Sequence, residues 1–387
     1  MTMKIALPDE TGRKSDYRLT GKPLVLASLP PHPARIVYSA AHVVADPFSA
    51  AAPSGQPAID WEKTMAFRHY LAGMGLGIAE AMDTAQRGMG LDWSRSLELI
   101  RRTRSELPDA LVGNGCGTDH LDLYQVSTVD EVIRGYMLQA EAIQALGGRL
   151  ILMASRALAR VANGPADYKR VYREVLTNCD QPVILHWLGE MFDPMLEGYW
   201  GSQDFDAALE TVLSIIGENR NRVDGIKISL LDKDKEIRLR RRLPAGVHMY
   251  TGDDFNYPEL IQGDDQGFSH ALLGIFDPIA VAAVTAVRQL GEGNVAGFRA
   301  TLDPTVPLAR RIFRAPTQYY KTGVVFLAWL NGFQDHFIML NGAQSMRPLP
   351  DFVEIFRLAD GCGLLRDPEL AVTRMKTLLA LYGASDA

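Results

Sequence analysis

Cysteine is scarce in this chain: Cys116, Cys179 and Cys362 are the whole set. An odd number without metal-type spacing argues against a disulfide framework and against a cysteine zinc site. Long apolar runs are missing too. No stretch approaches the roughly 18 residues that a membrane-spanning helix needs, and the segment from Met1 to Pro8 lacks the apolar core of a signal peptide. A cytoplasmic protein with no membrane contact is the expectation. Nor is there an excess of positive charge, since the net charge is -6. The densest basic run, Arg238 to Arg242, carries no aromatic interleaving and no recognised binding motif. It reads as the exposed face of a short helix, and nucleic acid is not expected as a partner. No dinucleotide fingerprint follows the first strand of the alternating region, and no internal repeat or low-complexity segment is present.

What the chain does have is length and apolar content: 387 residues, 47% of them hydrophobic, suffice for a sizeable core. Residues 1–33 alternate short apolar runs, such as Lys4 to Leu7 and Pro23 to Ser28, with turn signals, which predicts an N-terminal arm of short strands. From Arg35 onward, strand-like and helix-like patterns alternate. Strands are expected at Ile36 to Ser39, Gly77 to Met82, Ala110 to Asn114, Arg149 to Ala154, Pro182 to Trp187, Val223 to Ser229, Val247 to Thr251 and Phe268 to Leu273, with amphipathic helices between them. Eight β-α units within residues 34–291 predict an α/β protein built as a TIM (β/α)8 barrel. Residues 292–387 read as helices only and form a C-terminal helical appendage.

One strand breaks the pattern that a buried strand keeps. In Val223 to Ser229, alternation puts Val223, Gly225, Lys227 and Ser229 on one face and Ile226 and Ile228 on the other. The face of Lys227 is otherwise small and apolar, and burying an ammonium group there favours its neutral form, a nucleophile able to form a Schiff base with a carbonyl compound. In a barrel of this kind the active site lies at the C-terminal strand ends. The polar residues expected there include His42, Glu80, Asp83, Thr84, Asn114, Cys116, Thr118, Asp119, His120, His186, Ser229, Asp253 and Asp254.

Pro182 to Leu185 with its polar continuation, then Gly225-Ile-Lys227, then Gly252-Asp-Asp254, resemble in order and spacing the dihydrodipicolinate synthase and N-acetylneuraminate lyase superfamily of class I aldolases. Ile59-Asp60, Tyr320-Lys321 and Arg347 to Pro350 extend the resemblance from Ile36 to the C-terminal helices, and the chain looks most like a divergent branch of unknown function. The resemblance implies a lyase, either an aldolase or a dehydratase, in which Lys227 forms the imine with a 2-oxo acid or ketosugar-like substrate. It also implies a homo-oligomer whose partner is a small carbonyl compound, with no cofactor and no metal. His186 stands where the family carries a proton-relaying tyrosine, and Trp187 where it carries an asparagine. Histidine can move protons near neutral pH, so His186 is the candidate for acid-base work. Asp83-Thr84-Ala85-Gln86 replaces the family's Gly-Thr-Thr-Gly loop. Thr84 keeps one hydroxyl, whereas Asp83 would repel a carboxylate. Glu80, Asp83, Asn114 and Asp253 would instead accept hydrogen bonds from a hydroxylated substrate, and Ser229 completes the expected binding set. Asp254 is expected to shape its loop and cap the next helix.

Two other functions stay open at this level. His42, Glu80, His120, His186 and Asp253 could converge on a divalent ion in a metal-dependent barrel lyase or isomerase. Alternatively, the barrel could be a non-catalytic binding member that has lost the usual tyrosine and paired threonines.

Overall fold

The computed structural model describes residues 3–26, 34–49 and 58–384. Two short strands come first, β1 (Lys4–Pro8) and β2 (Lys14–Arg18), paired antiparallel. Then follow β3 (Val37–Ala40), α1 (Trp61–Gly73), β4 (Gly77–Glu80), α2 (Trp93–Glu106), β5 (Val112–Cys116), α3 (Val129–Ala145) and β6 (Arg149–Leu152). The middle of the chain adds α4 (Arg156–Val161), α5 (Pro165–Thr177), β7 (Val183–Leu188), α6 (Phe205–Glu218), β8 (Val223–Ser229) and α7 (Lys233–Arg240). β9 (His248–Thr251), α8 (Tyr257–Gln262) and β10 (His270–Leu273) end the alternation. Six helices remain: α9 (Ala280–Gly291), α10 (Val295–Leu302), α11 (Val306–Ile312), α12 (Tyr320–Leu330), α13 (Leu349–Gly361) and α14 (Pro368–Leu381). No helix among the described residues is long and apolar enough to cross a membrane.

The chain divides into two compact units, one of them made of Arg35–Ala41 and Leu76–Gly274. This unit contains β3 to β10, which close into an eight-stranded parallel barrel in the order β10-β3-β4-β5-β6-β7-β8-β9, as the alternating pattern predicts. Inside the barrel Tyr38, Ala40, Ala79, Ile151, Ile184, Tyr250 and Leu272 pack as one cluster. Local signals set the helices around it. Thr128 and Glu131 form a capping box at the start of α3, Asp232 caps α7, and Pro165 opens α5 where no backbone donor is needed.

The β7–β8 pairing contains one irregularity. Val183 pairs with Val223 but Ile184 with Gly225, so Asp224 is an extra residue on β8. It interrupts the strict alternation expected of this strand: Asp224 accepts a hydrogen bond from the interior residue Tyr250 (2.7 Å) and pairs with Arg149 at 2.9 Å.

The other unit consists of Met1–Ala34, His42–Gly75 and Ile275–Ala387. Its β1–β2 hairpin is tied to α13 by Asp360, which accepts bonds from the Tyr17 hydroxyl (2.8 Å), Thr20 N (2.9 Å) and Gly21 N (3.2 Å). The strand expected at Pro23 to Ser28 is not formed at residues 23–26, and residues 27 and 28 lie outside the described residues. α12 is buried along its whole length, consistent with its nearly continuous apolar sequence.

Candidate active site

Lys227 sits in the middle of β8 with His186 of β7 and Tyr250 of β9 as its register partners. It is 7% exposed. The space for its side chain comes from glycine: a Cβ added at Gly252 would lie 2.7 Å from Lys227 Cε and would also collide with Ser229 Oγ. Below it, a Cβ at Gly225 would meet the Tyr250 ring at 2.7 Å, so the tyrosine fills the barrel on that side. Burial holds the lysine below its ordinary pKa, while the carboxylates of Asp83 and Asp254 act in the opposite direction.

His186 is fully buried. Its Nε2 is 3.2 Å from Ser229 Oγ, and its Nδ1 has no hydrogen-bond partner among the described residues. Burial, and after it the charge of Lys227, keeps the imidazole well below its ordinary pKa, so the ring is neutral. Lys227, His186 and Ser229 therefore cluster on β7 and β8, with Asp83 and Asp254 acting on the lysine from nearby loops.

A cavity of about 210 Å³ meets this neighbourhood at Asp83; Lys227, His186, Ser229 and Asp254 are not among its lining residues. Asp83, Arg87, Gly88, Thr118 and Asp119 line one side, Met153, Ser155 and Arg156 the next, and Leu188, Asp193 and Leu196 the third. Asp83 belongs both to this wall and to the electrostatic surroundings of Lys227. Met153 also packs in the barrel's interior cluster, and Leu188 is the register partner of Ser229.

Several residues expected at the mouth lie elsewhere. Glu80 accepts bonds from the Thr103 hydroxyl of α2 (2.6 Å) and from Ala81 N (2.9 Å), on the strand face opposite the interior residue Ala79. Asn114 alternates with Gly113 and Gly115 and donates to the Arg149 carbonyl at 2.9 Å. Both side chains lie on the strand face opposite the barrel interior, so both are corrected from substrate contacts to residues that tie strands to their surroundings. Asp253 accepts bonds from Phe255 N, Asn256 N and Asn256 Nδ2 at 2.8–3.0 Å. It thus shapes the loop, the part expected of Asp254, whereas Asp254 is the carboxylate that acts on Lys227. Thr84 is buried in the short 3-10 turn Asp83–Ala85 and is not part of the cavity wall.

The five residues considered for a metal have separate partners. His42 Nδ1 lies 2.8 Å from Asp277 Oδ2, His120 Nδ1 lies 2.8 Å from Gln139 Nε2, and Glu80, His186 and Asp253 are bonded as described above. Among the described residues no cluster of three or more histidine, cysteine, aspartate or glutamate side chains is placed to hold a metal ion. Cys116 is buried, with its thiol held against the Tyr136 carbonyl, and burial raises its pKa, which leaves it unreactive.

Arg156 and Asp193 entered no sequence expectation, although they meet at 2.5 Å on the cavity wall. Arg156 opens the short helix α4 and Asp193 precedes the 3-10 turn Pro194–Leu196, 37 positions on, and neither segment has a hydrophobic period that would place it. The one available signal was position: Arg156 follows the barrel's fourth strand within four residues.

No curated protein matches the sequence. Solved structures do match in fold. Dihydrodipicolinate synthase from Thermotoga maritima superposes with a TM-score of 0.64 at 14% identity, over 86% of this chain and 99% of that one. The enzyme from Aquifex aeolicus gives 0.61 at 13%, over 90% and 98%. A prophage protein of the dihydrodipicolinic acid synthase family from E. coli K12, solved in complex with pyruvate, gives 0.61 at 15%, over 91% and 99%. These likenesses establish the barrel fold of dihydrodipicolinate synthases. At the level of sequence, the family model described as protein of unknown function (DUF993) matches residues 5–384, and the chain belongs to that family.

Proposed function

We propose that this protein is a Schiff-base-forming lyase that acts on a 2-oxo acid or ketosugar-like compound through Lys227. The observation that carries this function is a buried lysine on the sixth barrel strand, held below its ordinary pKa by burial, with Asp83 both acting on it and lining a cavity. The shared fold with dihydrodipicolinate synthases supports the same class.

The chemistry follows from the surroundings. Burial favours the free amine of Lys227, whose lone pair attacks the substrate carbonyl carbon; loss of water from the resulting carbinolamine gives a protonated imine. Asp83 and Asp254 stabilise that positive charge, as they oppose the neutralisation of the lysine. The electron pair of a breaking carbon-carbon bond, or of a C–H bond whose proton leaves to a base, is received by the iminium nitrogen, and the enamine so formed is later protonated. Hydrolysis then restores the amine. His186, neutral and hydrogen-bonded to Ser229, is the group placed to pass protons beside the imine, the part assigned to tyrosine in the resemblance. Cleavage, condensation and dehydration all share this intermediate.

Reduction with borohydride tests the proposal. With pyruvate, 2-oxoglutarate and dihydroxyacetone as probes, at least one should leave a stable mass increment on Lys227, absent from Lys227→Ala and unaffected by a chelator. Absence of any adduct across a wider panel of 2-oxo acids and ketosugars would overturn it. Adduct formation abolished by the chelator would favour the metal-dependent alternative.

A further inference from the structure

We propose that Arg156 binds a terminal oxyanion, a carboxylate or a phosphate, at the end of the substrate remote from its carbonyl; this rests on the Schiff-base function proposed above. The cavity wall carries two arginines, and they differ in what remains open to a ligand. All five N–H groups of Arg87 are engaged: Nε and Nη2 with Asp119, Nη1 with the Ala81 and Gly115 carbonyls, and Nη2 again with Gln139 Oε1. Arg87 is a buried clamp between two loops, with no donor left over.

Arg156 is held at one point. Its Nε donates to Asp193 Oδ2, and Asp193 is itself fixed by accepting from Met195 N through Oδ1. Neither Nη group bonds to any described residue, and the side chain is 40% exposed. Gly88 is the neighbour of Nη1, and even an added Cβ there would stand 4.0 Å from it. A guanidinium fixed at Nε with two free Nη groups presents the paired donors that a carboxylate or phosphate accepts.

Asp83 lines the same cavity and acts on Lys227, so its charge would repel a carboxylate next to the carbonyl. Leu121, Leu123, Leu188, Leu196 and Met153 supply apolar wall for a carbon chain. The polarity of the cavity therefore orders the substrate, with the carbonyl toward Lys227 and Asp83 and the charged group toward Arg156. A neutral hydroxylated compound, suggested by the acidic residues alone, would leave these donors unused.

Two matched pairs of probes test the assignment in the borohydride assay: pyruvate against 2-oxoglutarate, and dihydroxyacetone against dihydroxyacetone phosphate. In the wild-type protein the member with the additional terminal oxyanion should, in at least one pair, half-saturate trapping at a concentration at least tenfold lower, and the responding pair identifies the oxyanion. Arg156→Gln should erase that preference while leaving pyruvate and dihydroxyacetone within twofold, and Arg156→Lys should keep part of it. No preference in the wild type, a preference that survives Arg156→Gln, or an equal loss for all four probes would overturn the assignment. A second measurement is independent of the imine. Glutarate and inorganic phosphate lack a carbonyl, and calorimetric titration should detect at least one of them binding to Lys227→Ala but not to Lys227→Ala/Arg156→Gln. Such binding without any adduct would retain Arg156 as the oxyanion site while rejecting the lyase. No binding of either ion to Lys227→Ala, or equal binding to both variants, would overturn the site itself.

Discussion

Lys227 is governed by two opposed influences, burial that favours the free amine and two carboxylates that favour the ammonium, and burial is the larger. The balance makes Asp83 a tuning residue with a sign that can be checked. Because Asp83 raises the lysine pKa, Asp83→Asn should lower it further, and the rising acid limb of the trapping rate against pH should move to lower pH. The same substitution removes charge that stabilises the protonated imine, so the amount of adduct at saturation should fall several-fold even as the limb shifts. A limb that moves to higher pH, or stays in place, would show that Asp83 does not act on Lys227. At this scale the sequence was legible where a residue defied its strand, as Lys227 does. It was misread where parity was not checked: Glu80 follows Ala79 and Asn114 lies between Gly113 and Gly115, and the small residues are the ones that face the crowded barrel interior. Asp253 and Asp254 lie beyond the strand in a loop, where alternation gives no guide.

Among the elements, α7 carries the clearest buried charge problem. Glu236 on its inner face is buried, accepts hydrogen bonds from Thr251 (2.9 Å) and Ser269 (2.7 Å), and is pushed up to about 8, chiefly by burial. An acid whose folded pKa is raised contributes no penalty below its ordinary value of 4.5. As pH climbs from there to about 8, the unfolded chain ionises while the fold keeps the proton, and stability is lost. Glu236→Gln lacks this slope. Its advantage over the wild type should grow across that window, reach on the order of a few kcal/mol, and level off above it. Urea midpoints at pH 5 and pH 9 measure the difference, and parallel behaviour at the two pH values would mean that Glu236 is ionised in the fold. Element order and type were the most readable part of the chain. β8 was placed to the residue and the other barrel strands within a few positions, because hydrophobic period and turn chemistry are local. Helix α4 was not foreseen. Its six residues span less than two turns, too short to establish a period, and its start is set by the Ser155 side chain accepting from Leu158 N.

For the molecule as a whole, the basic run on and after α7 is bonded to nearby carboxylates: Arg238 to Asp206, Arg242 to Glu210 at 2.5 Å, and Arg240 and Arg241 to a shared Asp264. With net charge -6 and its densest cations already paired, the protein should show no anisotropy change with fluorescent duplex DNA at physiological salt; binding that weakens steeply with added salt would reverse this conclusion. The barrel, too, has a property that belongs to no single residue. Tyr38 and Tyr250 meet edge to face at 6.1 Å, and the Tyr250 hydroxyl, Asp224 and Arg149 close the space beneath them. Lys227 stands above this floor. In the proposed reaction the water that releases the product must reach the imine past whatever occupies the site, so a bulkier substrate shelters its own linkage, and occupancy time should lengthen with substrate bulk.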